Sequence, residues 1–104
     1  MYVAIRQYEM GSGSVEDLLR ATEEGLADLL SALPGFVRYE VIASGSDEIV
    51  SVTTFEDEES VVRSNQVAAA FVRDHLQRWE VNLTSAMTGE IGISRSSAAV
   101  GHAQ

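Results

Sequence analysis

Residues 2–9 alternate, with Val3, Ile5 and Gln7 on one side and Tyr2, Ala4, Arg6 and Tyr8 on the other, which is the period of a strand. Gly11, Ser12 and Gly13 break it, and Ser14 with Asp17 three positions later reads as a capping box. Val15, Leu18, Leu19, Thr22, Leu26, Leu29, Leu30 and Leu33 then recur at steps of three and four, the apolar face of one amphipathic helix ended by Pro34 and Gly35. A second strand is predicted over 36–43 and a hairpin turn over 44–47. A third strand over 48–55 sets Val50, Val52 and Thr54 against Ile49, Ser51, Thr53 and Phe55. Asp57 caps a second helix, predicted to run to about residue 78 on an apolar line of Val61, Val62, Ala68, Ala69, Val72 and Leu76. A fourth strand is predicted over 88–94, and residues 95–104 as an arm or tail beyond a domain of residues 1–94.

The order βαββαβ predicts an α+β, ferredoxin-like fold: a four-stranded antiparallel sheet with two helices on one face. The apolar row Val3, Ile5 and Gln7 is assigned to the helices. The hairpin strands, however, are apolar on both sides, with Phe36, Ile42, Ile49 and Phe55 on one and Val37, Tyr39, Val41, Val50 and Val52 on the other. Two helices cover only one of these. The remaining face predicts a symmetric homodimer packed sheet against sheet.

Composition narrows the chemistry. Among 104 residues, 16 carboxylates face 7 cations for a net charge of -9. Every cation is an arginine and none cluster, which excludes the counterion-release mode of nucleic-acid binding. There is no cysteine, hence no disulfide, thiolate metal site or thiol nucleophile. No apolar run reaches the roughly 18 residues of a membrane span, and no secretion signal opens the chain, so a cytoplasmic protein is expected. His75 and His102 make no metal-ligand spacing. Gly11-Ser12-Gly13 imitates a phosphate loop, but Glu16 and Asp17 follow and would repel the anion.

The short first strand, the helix ended by Pro34-Gly35-Phe36, the run VSVTTFEDEE from Val50 to Glu59 and the closing Gly89-Glu90-Ile91 resemble the antibiotic biosynthesis monooxygenase family of the dimeric α/β-barrel superfamily. The resemblance spans residues 1–94. It implies a homodimer whose sheets form a barrel, with a pocket in each subunit between sheet and helices. It also implies a choice among cofactor-independent oxygenases of polycyclic aromatics, haem-degrading enzymes, and isomerase-like or decarboxylase-like relatives. The haem-degrading branch uses an Asn on the first strand and, on the second helix, a Trp followed ten residues later by a His. Here Gln7, Ser64 and Asp74 fall at those places, with His75 one residue, about 100° of helix, away. Haem degradation is therefore not expected, and neither is a metal or flavin cofactor.

Candidate catalytic residues are Asn65, Gln7 and His75. Asn65 interrupts the apolar stripe of the second helix, so its amide should face the sheet, either hydrogen-bonding a substrate oxyanion or satisfying a structural partner. Gln7 is a second amide on the strand face assigned to the helices, with a strand-end role as the alternative. His75 lies near the helix C-terminus, as a general base or a cap. Tyr8, Arg6, Tyr39 and Trp79 are candidate substrate-binding residues, with aromatic core packing and an Arg6 pair to Glu40 or Glu9 as the alternatives. Two functions remain: cofactor-free oxygenation of a flat aromatic or quinone-like molecule, and a non-catalytic barrel that binds a small ligand or has a structural role.

Overall fold

The computed structural model describes residues 1–97; the predicted tail beyond them, with His102, lies outside the described residues. The elements are β1 (Tyr2–Met10), α1 (Val15–Glu24), α2 (Leu26–Ser31), β2 (Phe36–Ser44), β3 (Glu48–Phe55), α3 (Glu58–His75), a 3-10 turn (Gln77–Trp79) and β4 (Val81–Glu90). The strands form one antiparallel sheet in the order β2-β3-β1-β4. This is the ferredoxin-like arrangement. Ser14 Oγ accepts from the Asp17 amide and Asp57 Oδ1 from the Ser60 amide, so each long helix starts where its cap residue stands. No helix among the described residues is long and apolar enough to cross a membrane.

The predicted first helix is two. Its leucine periodicity runs unbroken through Gly25, yet the backbone turns there, because the Phe71 ring of α3 packs against that glycine. A Cβ at position 25 would lie 2.5 Å from Phe71 Cζ. The break lets α1 and α2 wrap the ring while Leu18, Leu26 and Leu30 stay buried.

The predicted orientation of β1 is inverted. Ala4, Arg6 and Met10 are the buried row under the helices, and Gln7 lies on the opposite face with its amide donating to Glu48 Oε2 at 2.7 Å. Ile49, Ser51, Thr53 and Phe55 of β3 share the helix side. The bare face is built from Val3 and Ile5, from Val50, Val52 and Thr54, from Arg38, Glu40 and Ile42, and from Met87. A bulge between Phe36 and Arg38 moves Phe36 onto the helix side beside Phe55, where Tyr39 and Val41 join Ile49 while Ile42 joins Val50 and Val52 on the bare face, so the predicted grouping of the two hairpin strands does not hold beyond Phe36.

The fourth strand lies earlier than predicted, at Val81–Glu90, and residues 91–94 are not strand. A bulge opposite Gln7 and Tyr8 explains the discrepancy. Leu83 pairs with Tyr8 and Ser85 with Gln7, leaving Thr84 as the extra residue, so the alternation of side chains slips by one in mid-strand.

The core is divided. A large cluster gathers Met10, Leu18, Leu26, Leu30, Ile49, Ala68, Phe71, Leu76, Trp79 and Val81, and a small one gathers Ala4, Phe55 and Val61. The buried polar residues include Arg6, Ser51, Thr53 and Ser64. Arg6 stands on β1 between Ala4 of the small cluster and Met10 of the large one. It is the residue around which the site is arranged.

Candidate functional site

Arg6 is only 4 % exposed. Its Nε donates to the Tyr8 hydroxyl at 3.1 Å, one terminal nitrogen to Asn65 Oδ1 at 2.6 Å and the other to Thr53 Oγ1 at 3.2 Å. All three acceptors are neutral. The ion pairs among the described residues are Arg20–Asp17, Arg63–Glu59 and Arg73–Asp74, all at the surface, so Arg6 pairs with neither Glu9 nor Glu40. A buried charge without a counter-charge is costly unless hydrogen bonds hold it. β1, β3 and α3 each supply such a bond.

Over this arginine opens a groove of about 510 Å³ lined by Arg6, Tyr8, Asn65, Ala69, Val72, Arg73, Gln77, Leu83 and Ala86. It exists because the buried stripe of α3 is Val61, Ser64, Ala68 and Phe71. Asn65, Ala69 and Val72, at steps of four and three, therefore run along the flank of the helix toward β4. Past its first residue β4 is exposed. Asn65 has given its oxygen to Arg6 and keeps its Nδ2 donors without a partner among the described residues. Tyr8 accepts from Arg6 and keeps its own O–H to donate. One cation thus orients two neutral donors, an arrangement suited to negative charge on a ligand oxygen.

Tyr8 and Val72 also wall a smaller, partly open cavity of about 30 Å³ with Leu18, Leu26, Tyr39 and Ile49. Ser51 Oγ, buried in that wall, has no hydrogen-bond partner among the described residues, and the space accommodates about one water. Burial pushes the Tyr39 hydroxyl up to about 12, against the opposing pull of Arg6. Its folded state therefore holds the proton after the unfolded state has lost it. Stability is expected to fall as pH rises from about 10 toward 12, by roughly 2 kcal/mol at most. Urea titrations across that range, repeated on Tyr39→Phe, should show the slope removed in the variant.

Four expected site residues do not line the groove: Tyr39 walls the smaller cavity beside it, and the other three are elsewhere. Gln7 faces away from the helices, because the helix-side residues of β1 are the even-numbered ones. His75 is exposed at the end of α3, its ring 4.8 Å from that of Phe71, and does not line the groove. Trp79 is 5 % exposed and belongs to the core, where its ring fills the space beside Gly13, while Arg78 lies over it at 4.6 Å. Thr53, Arg73 and Gln77 belong to the site or its rim and were not foreseen. The signal for Thr53 was available: a small polar residue on the strand face that also holds Ser51 and Phe55. Among the described residues no group of histidines and carboxylates is arranged to hold a metal ion, and no imidazole lines the groove to ligate haem iron.

The antibiotic biosynthesis monooxygenase model matches residues 1–80. The chain belongs to the antibiotic biosynthesis monooxygenase family. Similar solved structures share this fold at low identity. A dimeric ferredoxin-like protein from an uncultured marine organism is 14 % identical, with a TM-score of 0.69 over 92 % of this chain and 98 % of that one. A MhuD variant with two manganese protoporphyrin IX groups bound per active site is 20 % identical, with a TM-score of 0.66 over 93 % and 100 %. The ActVA-Orf6 monooxygenase of Streptomyces coelicolor, in complex with nanaomycin D, is 20 % identical, with a TM-score of 0.62 over 91 % and 92 %. No curated protein matches the chain. Within this family, then, the present chain places an arginine at the centre of its groove.

Proposed function

We propose that the chain is a cofactor-independent oxygenase of a flat, enolisable aromatic or quinone-like small molecule, acting as a homodimer. The observation that carries this reading is the buried Arg6 with Asn65 and Tyr8 arranged around it in an open groove. Asn65 Nδ2 and the Tyr8 O–H would hold the oxygen of the substrate as it enolises, and the charge of Arg6 orients both. Stabilising that oxyanion lowers the acidity barrier of the adjacent methylene, whose proton passes to water in the groove. The enolate is the reductant for dioxygen. One oxygen atom becomes the new carbonyl, the other leaves as water, and the two hydrogens of the methylene end in that water. Family membership and the ActVA-Orf6 neighbour support the reaction class.

Among the described residues no imidazole or carboxylate lines the groove, which favours a second reading, in which the site binds such a molecule without turning it over. Oxygen uptake with anthrone, measured in the presence of a chelator, tests both. Protein-dependent uptake that Asn65→Ala reduces supports oxygenation. Saturable binding without uptake supports the second reading, and neither binding nor uptake overturns both.

The homodimer rests on the bare face, where Val3, Ile5, Val50, Val52, Ile42 and Met87 form an apolar surface, and on the dimeric neighbour. Sedimentation equilibrium at micromolar concentration is expected to return twice the 11.3 kDa chain mass. A Val52→Arg variant, placing charge at the centre of that face, should sediment as a single chain.

A further inference from the structure

We infer that the groove takes its aromatic ligand as an anion, one bearing an ionised acidic oxygen group, with Arg6 as the counter-charge. This rests on the groove being the ligand site and names the class of molecule it accepts. A guanidinium has five N–H donors, and three of those of Arg6 are used by Tyr8, Asn65 and Thr53. Two are left. Arg6 is 96 % buried yet lines the groove, so a ligand seated there meets its guanidinium with little competition from bulk water.

The chain has 16 carboxylates, and among the described residues none pairs with this cation. Every partner is instead a neutral oxygen that leaves the charge intact. A cation kept buried and unneutralised beside an open groove is satisfied when the ligand supplies the missing charge, and charge-assisted bonds to Arg are about twice as strong as neutral ones. The apolar wall of Ala69, Val72, Leu83 and Ala86 then covers the aromatic body. Arg73 is tied to Asp74 at 2.9 Å, which leaves Arg6 as the charge that selects.

The test compares three naphthalene probes by titration calorimetry on the whole chain in nitrogen-purged, low-salt buffer: 2-naphthoate, 2-naphthamide and 2-naphthol. A chain of net charge -9 has no general affinity for anions, so any preference for the acid over its amide reports a local site. Naphthoate is expected to bind at least about tenfold more tightly than the amide at pH 7, with Arg6→Gln bringing the two together and Arg6→Lys keeping part of the difference. If the glutamine variant fails to fold, the Arg6 Nε–H resonance of the unmodified chain decides: a shift with naphthoate and none with the amide supports the inference.

Affinity for 2-naphthol that rises between pH 6 and 9 in step with its ionisation assigns the charge to a phenolate; a preference for naphthoate alone assigns it to a carboxylate. No preference in either comparison overturns the inference. Anion selection without oxygen uptake from anthrone would leave it standing while the oxygenase reading failed, and the converse would separate them the other way.

Discussion

Asn65→Leu is expected to lower stability and ligand affinity together, and both losses have one origin. The amide oxygen accepts from Arg6 at 2.6 Å, so leucine leaves a buried guanidinium one acceptor short. Orphaning a donor of that kind costs about 1–3 kcal/mol. For a domain of this size that lowers the melting temperature by roughly 4–8 °C per kcal/mol. The same change removes the Nδ2 donors from the groove and fills part of it, so affinity for an aromatic anion should fall by about tenfold or more. Asn65→Asp separates the two roles. It restores an acceptor and sets a carboxylate against Arg6, so stability should return to or exceed that of the unmodified chain while anion binding is lost. Calorimetric melting and probe titration on both variants check this. A leucine variant that melts with the parent would show that the contact to Arg6 contributes nothing to the fold.

Phe55→Ala should have the largest effect on stability. The ring is fully buried, meets Phe36 edge-on at 5.7 Å between centroids, and is the largest side chain of the small cluster with Ala4 and Val61. Large-to-small changes of this kind cost about 3–5 kcal/mol, against a total of about 5–15 kcal/mol for a typical domain. Urea unfolding should show the midpoint falling with the slope unchanged. The small cluster is joined to the larger core through Leu33 and Phe36, so these are the side chains that could move into the space. A loss below about 1 kcal/mol would mean that Leu33 and Phe36, which pack against both clusters, close the gap.

The element order, the caps at Ser14 and Asp57 and the placement of Asn65 on a helix face toward the sheet were legible because each depends on a local period or a local hydrogen bond. The orientation of β1 was not, and the reason is chemical. Hydropathy assigns Val3 and Ile5 to the core and Arg6 to solvent, but here Arg6 lies in a polar layer on the helix side and Val3 and Ile5 lie on the bare face. A buried site inverts the very signal by which strands are oriented. β4 was hidden differently, since its bulge breaks the alternation on which a strand is recognised, and Asn82, Leu83 and Thr84 then look like a connector. Gly25 was invisible as a break because the leucines on either side keep helical spacing across it. Its reason for being glycine, the ring of Phe71, is a contact 46 positions away in the chain. For Trp79 and His75 the choice between a site role and the alternatives, core packing and a helix end, needed the same long-range information.

The two irregular strands of this sheet are also its two outer ones. β1 and β3, in the middle, pair without interruption, whereas β2 is bulged between Phe36 and Arg38 and β4 between Leu83 and Ser85. An outermost strand presents a row of free amide and carbonyl groups, a template on which further chains can add without limit, and β4 compounds the hazard with Leu83 and Met87 exposed at 56 % and 62 %. Each bulge twists its strand and interrupts that row, at the start of β2 and in the middle of β4. Growth by strand addition is thereby discouraged at both margins. The apolar flat of the sheet is left as the surface on which copies can meet, and a flat that meets its own kind about a twofold axis is used up in a pair. The same two irregularities that obscure the strands in the sequence thus bias the chain toward closed assembly and away from fibres.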